Sequence, residues 1–144
     1  MTDSGFDLGL GDASRAGVFF VTPEDIATLD MATRDAGLLA CRIDLRDCTN
    51  KATLMLRLAT ALDFPTGSGR NWDAASDRLR DLSWLPGSGY ALLFDAARDL
   101  RDGDETAFDT LLDVLDEAVS DWAGRDIPFW AFLALPEDEF AQAG

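Results

Sequence analysis

Residues 18–45 read VFFVTPEDIATLDMATRDAGLLACRIDL, and the order of patterns in this stretch sets the fold class. Val18-Phe19-Phe20-Val21 is a short, wholly apolar run of β-formers, as expected of a strand covered on both faces. Thr22-Pro23-Glu24-Asp25 then reads as a helix start. Thr22 is placed to cap, Pro23 puts its missing N–H at the first helical position, and the acids lie at the positive end of the dipole. The helix predicted from there runs to Ala36 and stops at Gly37. Leu38 to Leu45 follows as a second strand, apolar at first and then alternating Cys41, Ile43 and Leu45 against Arg42 and Asp44.

The same alternation continues downstream. Asp47-Cys48-Thr49 turns the chain into a helix from about Asn50 to Leu62, with Leu54, Met55, Leu58 and Leu62 on one face. Phe64-Pro65-Thr66-Gly67-Ser68-Gly69 must be a loop, because Pro and Gly at this density break either regular structure. Asn71 caps a predicted helix from Trp72 to about Leu82. Tyr90 to Phe94 is a third strand and Phe129 to Ala134 a fourth. Between them, after a polar stretch from Asp99 to Glu105, lies a long amphipathic helix with Phe108, Leu111, Leu112, Leu115, Val119 and Trp122 on its apolar face and Gly124 as its stop. Strands alternating with helices indicate an α/β fold, a small mainly parallel β-sheet flanked by helices, because parallel neighbours need such crossovers. Residues 1–15 scatter Phe6, Leu8 and Leu10 among Gly, Asp and Ser and are expected to form a flexible arm. Residues 16–136 are expected to form a single domain, and 137–144 a short tail.

The chain has 144 residues, of which 47% are hydrophobic, and a chain of that length can bury roughly two-thirds of its unfolded surface. Its 27 acidic residues against 12 basic ones give a formal charge of −15, which argues against nucleic acid as a ligand and for a basic protein partner. It contains no His, which excludes imidazole as base, nucleophile partner or metal ligand. Cys41 and Cys48 do not have C-x-x-C spacing and read as two reduced thiols. Asp3 and Asp7 fall where a secretory signal needs positive charge, and no apolar run reaches membrane-spanning length; a cytoplasmic protein is expected.

The most informative segment for function is Gly69-Arg70-Asn71-Trp72-Asp73-Ala74-Ala75-Ser76-Asp77. Trp72, Ala75, Leu79 and Leu82 fall in one sector of the predicted helix, while Asp73, Asp77 and Asp81 project from another. Like charges at i,i+4 cost a helix roughly 0.2–0.5 kcal/mol per pair, so local stability does not explain the row. Asp73 is suited to the first turn by the helix dipole, and Asp81 has Arg78 within pairing distance. Asp77 has the weakest local explanation of the three. Paired carboxylates can also act as acid and base or hold Mg²⁺, which keeps a carboxylate- or Mg-dependent hydrolase as a third reading, but general-acid work needs a buried carboxyl and this row lies on the polar side. Asp102-Gly103-Asp104-Glu105 lacks the ligand spacing of a calcium loop, and Gly67-x-Gly69 lacks the Lys-Ser/Thr of a phosphate loop. No metal or cofactor is expected.

Phe64-Pro65 followed by Gly69-x-Asn71-Trp72-Asp73-Ala74, then Asp77-x-Leu79 and Leu82-Ser83-Trp84-Leu85-Pro86 ahead of the Tyr90 strand, resembles the barstar family of intracellular ribonuclease inhibitors. The resemblance spans about residues 50–135, and residues 18–45 look like the extended N-terminal portion of some relatives. It implies a barstar-like α/β domain that is not an enzyme, and a partner-binding edge in which Asp73 and Asp77 match acids that enter the nuclease active site. Asp109 matches a third acidic contact, and Gly69 and Asn71 match residues shaping the binding loop. The implied function is an immunity or antitoxin protein, monomeric before complex formation, whose helix-borne carboxylates block a small basic secreted ribonuclease or related toxin. The alternative is a barstar-like interaction domain for a different basic protein. The chain departs from the family at Gly67 and Ser68, where relatives usually carry aromatic residues.

Overall fold

The computed structural model describes residues 9–136. The elements run β1 (Val18–Val21), α1 (Asp25–Asp35), β2 (Leu39–Asp44), α2 (Lys51–Ala61), α3 (Trp72–Leu79), β3 (Tyr90–Asp95), α4 (Ala97–Gly103), α5 (Glu105–Ala123) and β4 (Phe129–Ala134), with a short 3-10 turn at Ala13–Arg15 before β1. All strands are parallel, in the order β1-β4-β3-β2, so the first strand lies beside the last. The α/β sheet flanked by helices is as the sequence predicts.

The apolar strand runs are explained by helices on both faces. On one face Tyr90, Leu92 and Phe94 of β3 and Phe129, Ala131 and Leu133 of β4 meet α2, α4, α5 and the end of α3 through Leu54, Leu58, Leu79, Leu100, Leu111, Leu115 and Trp122. On the other, Ala91, Leu93, Trp130, Phe132 and Ala134 pack beneath Ile26 and Leu29 of α1. At the β2 edge the α1 face turns polar, and Arg42 pairs with Asp95 at 3.0 Å and with Asp30 of α1 at 3.3 Å.

Four boundaries differ from the sequence reading. The expected loose arm does not extend over residues 9–15: Leu10 and Ala13 are buried, and the Trp130 indole Nε1–H donates to the Leu10 carbonyl at 2.9 Å. The rest of that arm and the tail from residue 137 lie outside the described residues. The polar stretch from Asp99 is largely helix α4, which buries only Ala97 and Leu100 and leaves its charged residues at the surface or only partly covered. Helix α1 begins with Glu24 in helical conformation at its cap; Thr22 makes no side-chain cap, and its backbone N–H donates instead to the Asp25 carboxylate at 3.2 Å. Helix α3 ends at Leu79 and not near Leu82, for a reason that belongs to the site itself.

Candidate partner-binding site

Helix α3 is fastened at both ends. At its start Asn71 is extended, and its Oδ1 accepts from the Ala74 N–H at 2.8 Å, satisfying one of the donors that a helix start leaves open. At its end the Leu79 carbonyl accepts from the indole Nε1–H of Trp122 on α5 at 2.8 Å, and the Arg80 carbonyl accepts from Arg125 at 2.7 Å. Those side chains take over carbonyls that another helical turn would have used. Leu82 then adopts φ 51°, a left-handed conformation costly for a bulky side chain, and stays there because its side chain is fully buried. Arg125 also lies over the Trp122 ring, 3.8 Å from its centroid.

The loop before α3 is tied to the same helix. Phe64 meets Trp84 edge to face at 6.1 Å, and the Trp84 indole donates to the Leu62 carbonyl at 2.9 Å. The Ser68 hydroxyl donates to the Pro65 carbonyl at 2.7 Å and accepts from Arg78 Nε at 2.9 Å, while the Arg78 guanidinium stands 5.8 Å from the Trp84 ring centroid. Gly67 carries φ 91°, where a side chain would be strained. A Cβ on Gly69 would lie 3.2 Å from Asn71 Nδ2 and 3.4 Å from Ala74 Cβ, so the glycine lets the chain pass close to the cap. Arg78, offered by the sequence as a partner for Asp81, is committed to this loop; Asp81 accepts instead from the Ser83 N–H at 3.3 Å.

Asp73 and Asp77 both face solvent on the outer side of α3. Asp73 has no ion pair among the described residues. Asp77 pairs with Arg80 one turn on, at 2.9 Å, with 74% of its side chain exposed. This arrangement supplies the local explanation that the sequence reading did not find for Asp77. Arg80 in turn lines a shallow cleft with Asp116, Glu117, Ser120 and Asp121 of α5. Asp121 is itself paired with Arg125. The α5 acids beside α3 are therefore those of its C-terminal half. Asp109 is also exposed, but it lies 13 residues before Trp122, about 20 Å along the helix from the point where Leu79 docks. Gly69, Asn71, Asp73 and Asp77 are all exposed, on α3 and the loop leading into it, whereas Asp109 lies on a different helix, in the N-terminal half of α5.

Sequence reasoning missed Arg80, Glu117 and Asp121. The i,i+3 spacing of Asp77 and Arg80 was the available signal. Among the described residues no three His, Cys, Asp or Glu side chains converge as metal ligands.

The barstar (barnase inhibitor) family model matches residues 38–134, from the threshold of β2 to the last residue of β4. The chain belongs to the barstar family. No curated protein matches it. The family match takes in α2 to α5 and three of the four strands, and it includes every site residue described above; β1 and α1 precede it. The barstar portion thus supplies the capped helix, its pinned loop and the acids, and the preceding segment supplies the fourth strand and the cover for the sheet's second face.

Proposed function

We propose that this barstar-family chain is a cytoplasmic inhibitor of a small basic ribonuclease, an immunity or antitoxin protein that performs no chemistry of its own. The observation that carries the reading is the outward display of Asp73 and Asp77 on a helix fixed at both ends. A ribonuclease cleft is basic because it holds phosphates. A rigid row of carboxylates can occupy that cleft as a phosphate mimic and exclude RNA, with little conformational freedom left to lose on binding. Gly69 and Asn71 set the loop and cap, and Asp109 is proposed as a further contact on α5. The charge of −15 favours encounter with a cationic enzyme.

The test is to titrate the purified chain into a small basic ribonuclease encoded beside it and to follow RNA cleavage. The expected result is stoichiometric one-to-one inhibition that weakens with salt and with Asp73→Ala. Cleavage unchanged at every salt concentration overturns the reading.

A second reading has its own observation. Where relatives place aromatic residues, Ser68 is turned inward and bonded to Pro65 and Arg78. Without aromatic side chains there the loop offers less apolar contact, which favours a partner other than a barnase-like nuclease. Recovery of a stable basic partner without nuclease activity, by pull-down with the intact chain, would select this alternative.

A further inference from the structure

The two edges of the sheet are built differently. At the β2 edge Arg42 and Asp44 are exposed and Arg42 is held by Asp30 and Asp95, the kind of charge that discourages strand addition. The β1 edge, Val18-Phe19-Phe20-Val21, has no charge, and Phe19 and Phe20 are 43% and 46% exposed. Phe19 continues an aromatic row, 5.7 Å from Trp130 and 6.0 Å from Phe132, and Phe20 stacks on Phe108 across the other face at 6.2 Å.

Backbone direction specifies what can add there. The Gly17 carbonyl accepts from the Ala131 N–H at 3.0 Å and the Val21 carbonyl from the Leu135 N–H at 2.8 Å. Gly17, Phe19 and Val21 therefore turn their backbone groups to β4, and Val18 and Phe20 turn theirs outward, where no described strand lies. Such an edge is complementary to itself. We propose that a second copy of this chain pairs antiparallel along β1, about a two-fold axis at Phe19. Val18 of each copy then exchanges backbone hydrogen bonds with Phe20 of the other, and the two Phe19 side chains meet as the non-hydrogen-bonded pair, extending the aromatic row into one continuous sheet. The charges agree with this orientation. Arg15 lies before β1, Glu24 and Asp25 lie after it, and Arg15 and Asp25 line the same cleft as Phe19 and Phe20. The antiparallel register sets Arg15 of each copy opposite Pro23 of the other, next to Glu24 and Asp25. The sequence reading expects a monomer; this edge argues for a dimer, independently of the α3 site.

Sedimentation of the full chain over a rising concentration series tests the proposal. The expected result is a shift from 15.6 kDa to twice that mass, lost in Phe19→Lys, which sets two ammonium groups face to face. Because Phe19→Lys can also disturb Trp130, disulfide trapping supplies a second measurement. Phe19→Cys should cross-link readily, since a non-hydrogen-bonded pair brings Cα atoms to about 4.5 Å, within disulfide range. Phe20→Cys should not, because two Phe20 positions in this register lie beyond about 7 Å. The unsubstituted chain is the control for Cys41 and Cys48, whose thiols burial already pushes up and makes less reactive. A single species of 15.6 kDa at all concentrations overturns the dimer and leaves the edge to another protein's strand or to residues 1–8 or 137–144 of this chain. Equal cross-linking from both Cys variants overturns the register.

Discussion

Asp77 and Arg80 carry opposite consequences for binding although they form one ion pair. The pair is exposed and contributes under about 1 kcal/mol to folding, so either substitution should leave the melting temperature almost unchanged. Against a basic partner the two separate. Asp77→Ala should weaken the complex by about 2–5 kcal/mol if the acid is desolvated in the interface, a range drawn from the barnase–barstar pair itself and therefore borrowed from the family. Arg80→Ala removes an internal cation that competes for the same carboxylate and should tighten binding, mainly through a faster on-rate. Surface plasmon resonance on both variants checks this, and a loss of affinity in Arg80→Ala comparable to that in Asp77→Ala would show that Arg80 makes a contact of its own. Asn71 makes its contribution to stability, and Asn71→Ala should cost roughly 0.5–2 kcal/mol, read as a lower urea midpoint with an unchanged slope.

Helix α3 draws its fixed position from its neighbours, since eight residues are too few to hold a helix alone. Trp122→Phe keeps an aromatic ring in the core but leaves the Leu79 carbonyl without its buried donor, at a cost of about 1–3 kcal/mol by chemical denaturation. Arg78→Ala should loosen the loop, appearing as faster amide exchange at Gly67 to Gly69 with the fold unchanged by circular dichroism. These elements differ in how far they could be read from sequence. The strands, the Asn71 cap and the Gly124 stop were legible because each depends on a local pattern. Helix α4 was not, because Ala97 and Leu100 give a single apolar turn, too little to reveal a period. The covering role of Leu10 depends on an indole 120 residues away, and the Ser68–Arg78 bond on a loop geometry that no spacing specifies. For Arg78 the sequence offered several acids within a turn, yet it takes none of them and bonds Ser68, which only tertiary packing settles.

Charge acts on the molecule as a whole, and it separates the two proposed associations. A complex of this chain, at −15, with a basic nuclease gains from long-range attraction and should dissociate more readily as salt rises. Two copies of the chain repel one another, and screening should raise the dimer fraction instead. Sedimentation and inhibition measured across one salt series should therefore move in opposite directions. The strand order adds a constraint in time. Val18 lies against Ala131 and Val21 against Ala134, so β1 has no partner in the sheet until β4, far downstream, has been synthesised. Until then the apolar run Val18-Phe19-Phe20-Val21 waits unpaired, and closing so distant a contact is slow. The barstar portion from residue 38 onward can meanwhile assemble three strands around β3, which makes docking of β1 onto β4 a late step in folding and the interval before it the time when the nascent chain is most exposed to aggregation.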